Sequence, residues 1–146
     1  MDTSFKFEDL MLFSKQLWDH KDILSSGKYQ CVYRTIINRV YYSAFHHTKY
    51  WLEYKYNFKT REVNLETGKE QNKDGLSEHK LVYKELRKVA NQQKESKWKF
   101  KSASSKLEDL FNKRVEADYK PYLTFKEIEV EDAIKEASDI LKLLII

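Results

Sequence analysis

The chain has 146 residues, with 27 Lys and Arg against 23 Asp and Glu for a formal charge of +4. Three Gly and one Pro exclude a fold of many short strands and tight turns, and equally a collagen-like or low-complexity chain. With 41% apolar and 34% charged residues, Lys, Glu and Leu prominent among them, what remains is one domain of a few long helices with a single packed core.

Further features narrow the setting. A single cysteine, Cys31, cannot form an internal disulfide, so the chain reads as intracellular and reduced, hence cytoplasmic. Residues 1–9 show neither a basic n-region nor an apolar h-region, so no secretory signal is expected. The longest wholly apolar runs, Leu10 to Phe13 and Leu143 to Ile146, fall far short of the ~18 residues that cross a bilayer, and no membrane association is expected.

The first predicted helix runs from Asp2 or Thr3 to about Leu24, with Phe7, Leu10, Met11, Phe13, Leu17 and Trp18 at helical spacing and Gly27 as a left-handed terminator. The second and longest runs from about Lys28 to Tyr56. Tyr33, Ile37, Val40, Tyr41, Ala44, Phe45, Thr48, Trp51 and Leu52 form its core stripe. Residues 57–77 are polar, hold two of the three glycines, and read as a surface loop. A third helix covers Ser77 to Asn91, with Ser77 as N-cap and Leu81, Leu86 and Val89 inward. The fourth starts near Ser104 or Ser105 and ends before Pro121, and the fifth covers Val130 to Leu144. Residues 84–106 carry eight basic and two acidic side chains, whereas 107–146 carry six and ten, so the modest total hides a strongly basic segment. The expected architecture is a single up-and-down bundle of about five helices over residues 1–146.

The second helix holds the informative residues. With Ile37 at the centre of the core stripe, Arg39 and His46 both fall on the opposite side, about 10 Å apart along the axis. Tyr42, Ser43 and Tyr50 share that side. An ordinary solvated face is rich in Lys and Glu, whereas Tyr and Arg concentrate in interfaces and binding sites. Coverage of the helix on a second side, with Arg39 paired to a neighbouring carboxylate, is the structural alternative.

Arg39-Val40-Tyr41-Tyr42-Ser43-Ala44-Phe45-His46 resembles the Arg-x-Tyr-Tyr-x-x-Phe-His signature of HEPN domains, small helical bundles of prokaryotic conflict systems. Ser77-Glu78-His79-Lys80 is similar to the Ser/Thr-His-Lys segment of one HEPN branch, and Arg114-Val115-Glu116-Ala117-Asp118-Tyr119 to its Arg-x-x-Ala-Asp-Tyr segment. The resemblance spans about residues 5–145. It implies a symmetric homodimer and a metal-independent endoribonuclease, a toxin or antiviral effector, with Arg39 and His46 catalytic and no cofactor. Tyr42, Ser43, His47 and Tyr50 would shape the cleft between two subunits, and RNA would be the substrate. Val40 stands where active members often carry a small polar residue, and Thr48 where some carry a modifiable Tyr. The alternatives are therefore an inactive HEPN module that docks on a partner such as a nucleotidyltransferase antitoxin, and an RNA-binding accessory subunit.

The last of these has its own candidate segment. Lys97-Trp98-Lys99-Phe100-Lys101 alternates cations for phosphates with rings for bases. It reads equally as a linker whose Trp98 and Phe100 plug into the bundle. His20, His46, His47 and His79 show no spacing typical of a metal site, so no metal is expected. His79 reads as a residue holding a helix entry, and Asp118 as the partner of Arg114 one turn earlier.

Overall fold

A computed structural model describes residues 6–146. Six α-helices and one small hairpin follow in order: α1 (Phe7–Asp19), α2 (Lys21–Ser25), α3 (Tyr29–Tyr56), β1 (Arg61–Val63), β2 (Glu70–Asn72), α4 (Glu78–Gln92), α5 (Lys97–Tyr119) and α6 (Glu127–Leu143). The fold is an all-α bundle built around α3, which packs against each of the other five helices. At 28 residues α3 is about 42 Å long. All nine residues of its predicted stripe are buried, and so are Ile36, Ser43 and His47. The buried arc is wider than the stripe because α1 and α6 cover a second side of the same helix.

Three features differ from those expected, each for a physical reason. The start at Asp2 or Thr3 lies outside the described residues. The predicted first helix breaks at His20 (φ −107°, ψ 14°), whose ring Nδ1 lies 2.9 Å from the Gln16 carbonyl, and a five-residue α2 follows. Phe13, expected at a helical spacing with the apolar residues, is 49% exposed. Ser26 and Gly27 both take positive φ at the end of α2. Within residues 57–77, Arg61–Val63 pairs antiparallel with Glu70–Asn72. The connection is an Asx turn, with Asn64 Oδ1 accepting from the amides of Glu66 at 2.9 Å and Thr67 at 3.1 Å. Strands of three residues, Arg61-Glu62-Val63 and Glu70-Gln71-Asn72, are too short to carry an alternation. Finally, α5 begins at Lys97 rather than at Ser104, because Phe100 packs its ring 5.1 Å from Trp51 and draws the basic segment into the helix.

Two clamps hold the far end of the bundle. Arg34 donates to the Ala117 carbonyl at 2.7 Å, to Lys120 at 3.1 Å, and to Leu123, placing a cation on the unsatisfied carbonyls that end α5. Gln30 exchanges two hydrogen bonds with the backbone of Phe125, at 2.8 and 2.9 Å.

Candidate active site on helix α3

Positions 39, 42, 46 and 50 form one row along α3. Arg39 and Tyr50 are exposed, whereas Tyr42 and His46 are half-buried. Arg39 has no hydrogen bond or ion pair among the described residues. His46 lies between rings: Phe7 of α1 stacks on it at 4.1 Å and 16°, and Tyr42 is stacked 5.9 Å away on the other turn. Burial, helped by the Lys49 ammonium, lowers its pKa below the ordinary 6.5, while Glu78 opposes the shift. Its imidazole is therefore neutral at pH 7, as a general base must be.

Two residues predicted for this cleft lie elsewhere. Ser43 is fully buried and donates to the Phe7 carbonyl at 2.9 Å, joining α3 to α1. His47 is buried too; its Nε2 donates to the Leu144 carbonyl at 2.6 Å, and its Nδ1 lies 3.5 Å from Glu8. Both sit one step round the wheel from the 39–46 row, on the side that α1 and α6 cover. A single apolar stripe marks only one covered side of α3, and the second covered side takes Ser43 and His47 into packing. Tyr42 and Tyr50 remain beside Arg39 and His46.

The opposite flank of Tyr42 carries a network that the sequence reading treated as support. The neutral phenol of Tyr41, its pKa pushed up by burial, is hydrogen-bonded to Nδ1 of His79. His79 lies 4.6 Å from Phe45 and 6.2 Å from Tyr42, ring to ring, so it shares neighbours with His46. Burial and the Arg114 guanidinium lower its pKa, Glu78 opposes, and His46 itself contributes. Arg114 is 6% exposed, lies 5.2–5.9 Å from the rings of Phe111, Tyr41, Tyr42 and Tyr119, and reaches Asp118 at 3.4 Å. Asn38 donates to the same carboxylate at 3.0 and 3.2 Å. Glu78 in turn accepts from Lys49 at 2.7 Å and Thr60 at 2.8 Å, fixing the start of α4, where Ser77 caps the amide of Lys80. The three sequence segments singled out above thus meet around Tyr41 and Tyr42. The signal for His79 was present in its place two residues after an N-cap, but only the fold brings it next to Phe45.

No known protein family, curated protein or solved structure matches the chain. What the site can do rests on its geometry: a free guanidinium and a neutral imidazole, two turns apart on one rigid helix.

The basic segment is split by its helical period. Phe100 is half-buried against Trp51, whereas Trp98 is 65% exposed and Lys97, Lys99 and Lys101 are all exposed. Among the described residues no three His, Cys, Asp or Glu side chains converge as metal ligands do, and no helix is long and apolar enough to cross a membrane.

Proposed function

We propose that the chain is an endoribonuclease of the HEPN type, acting as a toxin or antiviral effector through a site composed by two copies of α3. The observation that carries this reading is the unpartnered, exposed Arg39 two turns from the neutral, half-buried His46. RNA brings its own nucleophile, so the protein has only to move protons and stabilise charge. His46 takes the 2′-hydroxyl proton as the 2′-oxygen attacks phosphorus. Arg39 lays its planar fork against the phosphate oxygens as negative charge develops. The 5′-oxygen leaves with a proton from His46 of the partner subunit in the fraction of dimers that hold that imidazole protonated, yielding a 2′,3′-cyclic phosphate and a 5′-hydroxyl. One chain supplies one of each residue, and a two-fold pairing across the row supplies both proton-transfer steps. The exposed ring of Tyr50 and the half-buried ring of Tyr42 give that pairing its contact surface.

The test is cleavage of single-stranded RNA in the presence of EDTA. Wild type is expected to cut and leave cyclic-phosphate ends, while Arg39→Ala and His46→Ala lose roughly 10²-fold or more. Equal cutting by all three proteins overturns the reading.

Exposed Trp98 amid Lys97, Lys99 and Lys101 supports a second role for the same substrate, as an auxiliary RNA contact. Changing the three lysines to Ala is expected to weaken RNA binding and flatten its salt dependence. Unchanged affinity overturns it.

A further inference from the structure

Helices α4 and α5 leave a groove between them, closed at its inner end by Tyr41 and Phe45 of α3. It has two cavities that adjoin at Tyr83 and Glu108, of about 220 and 390 Å³. Their chemistry differs sharply. The smaller is walled by Tyr41, Phe45, Leu107, Phe111 and the ring of His79. The larger is lined by Arg87, Asn91, Lys101, Ser104 and Ser105.

Three observations make the larger end a site for an anion. Ser104 is 3% exposed, lines the cavity, and its hydroxyl has no hydrogen-bond partner among the described residues. A buried hydroxyl left unpaired costs about 1–3 kcal/mol, so such a group points to a ligand that satisfies it. Arg87 and Lys101 both line the same space, and neither has a carboxylate partner; Arg87 rests only on the Tyr83 ring, 5.1 Å away. The surrounding segment, residues 84–106, has eight basic side chains against two acidic ones, which draws anions toward the groove. At the junction, Tyr83 donates to Glu108 Oε2 at 2.8 Å. The other oxygen of Glu108 is left as an acceptor for a ligand hydroxyl.

We propose that the α4–α5 groove binds a phosphate monoester carrying a flat ring, with the phosphate on Arg87, Lys101 and Ser104 and the ring in the aromatic cavity. A nucleoside 5′-monophosphate is the ordinary form of that chemistry, either free or as the phosphorylated 5′ end of an RNA strand. The aromatic end offers Phe111 and His79 as stacking faces, and the Glu108 carboxylate lies where a sugar hydroxyl joins the two parts. Neither Arg39 nor His46 lines this site, and it does not rest on the cleavage reading.

Calorimetric titration of the full chain tests it with inorganic phosphate, phenyl phosphate, adenosine, adenosine 5′-monophosphate and a 5′-phosphorylated oligoribonucleotide. The two ring-bearing phosphomonoesters are expected to bind at least about tenfold more tightly than either inorganic phosphate or adenosine, since each of those fills one end only. Arg87→Glu with Lys101→Glu changes exposed residues; it is expected to abolish that gain at an unchanged melting temperature. Ser104→Ala is expected to weaken the phosphomonoesters several-fold and leave adenosine unaffected. The affinities for phenyl phosphate and adenosine 5′-monophosphate are read with no RNA cut, so failure here and failure of the cleavage reading are told apart. An oligonucleotide that binds more tightly with a 5′ phosphate than with a 5′ hydroxyl identifies a strand end, and equal binding of the two identifies a free nucleotide. Equal affinity for adenosine and its 5′-monophosphate, or undiminished binding by the double variant, overturns the proposal.

Discussion

Arg39 and Arg114 lie on opposite flanks of Tyr42 and have opposite fates. Arg114 is buried, set among four aromatic rings, and tied to Asp118. Arg39 is exposed and makes no bond at all among the described residues. A buried charge needs partners, because desolvation is costly unless rings, carboxylates or hydrogen bonds offset it. A solvated charge needs none and stays available to a ligand. The histidines repeat the contrast: His47 donates its Nε2 proton to Leu144, while His46 lies between rings, its pKa lowered by burial, with no hydrogen bond among the described residues. Residue type therefore says little about role in this helix; the coverage of each side decides it.

The largest effects should break this symmetry cleanly. Arg39→Ala is expected to lower RNA cleavage by roughly 10²–10⁴-fold while the melting temperature stays within a degree or two, because nothing in the fold leans on it. Arg114→Ala is expected to do the reverse, costing roughly 2–4 kcal/mol in denaturant unfolding through lost packing of its stem and the loss of the Asp118 contact. Comparable loss of stability in both variants would erase the distinction.

A smaller contrast lies within one turn of α5. Phe100→Ala removes a ring seated against Trp51 and should cost about 2 kcal/mol, whereas Trp98→Ala, at a 65% exposed position, should stay within about 0.5 kcal/mol. His47→Ala is expected to cost about 1–2 kcal/mol by leaving the Leu144 carbonyl unpaired, with cleavage by the folded fraction unchanged. A specific loss of cleavage in that variant would return His47 to the cleft.

The smallest effect is on pH dependence. Burial lowers the pKa of both His46 and His79 in the folded chain, while unfolded imidazoles titrate near 6.5. Below 6.5 the unfolded chain then binds more protons than the folded one, so stability falls as pH drops from 7.5 through 6.5 toward the lowered folded values. Glu78, held down first by its hydrogen bond from Lys49, adds a loss only at pH values below 4.5. Melting curves of wild type and His46→Ala across pH 5–7.5 separate the imidazole from carboxylates such as Glu136, whose pKa burial raises. A slope that is identical in both proteins rules out the His46 contribution.

Much of this was legible in the chain. Helix α3 and its nine-residue core stripe follow from apolar spacing, because burial against neighbours demands a side chain every third or fourth position. The Ser77 cap and the Arg114–Asp118 contact were equally readable, since each depends on residues within one turn. The β1–β2 pair, the break at His20 and the early start of α5 were not; three-residue strands have no period, the His20–Gln16 contact leaves the apolar spacing unchanged, and the start of α5 depends on a contact made across the fold.

The same division holds for function. Arg39 and His46 share one line of a long helix wherever that helix packs, because 3.6 residues per turn is a property of the backbone alone. Which of their neighbours stay available depends on the packing of the other helices. The tertiary structure packs α1 and α6 over Ser43 and His47, brings His79 to Phe45, and aligns Arg87 with Lys101 and Ser104 across two helices. Those outcomes depend on which helices meet, and no local spacing carries that information.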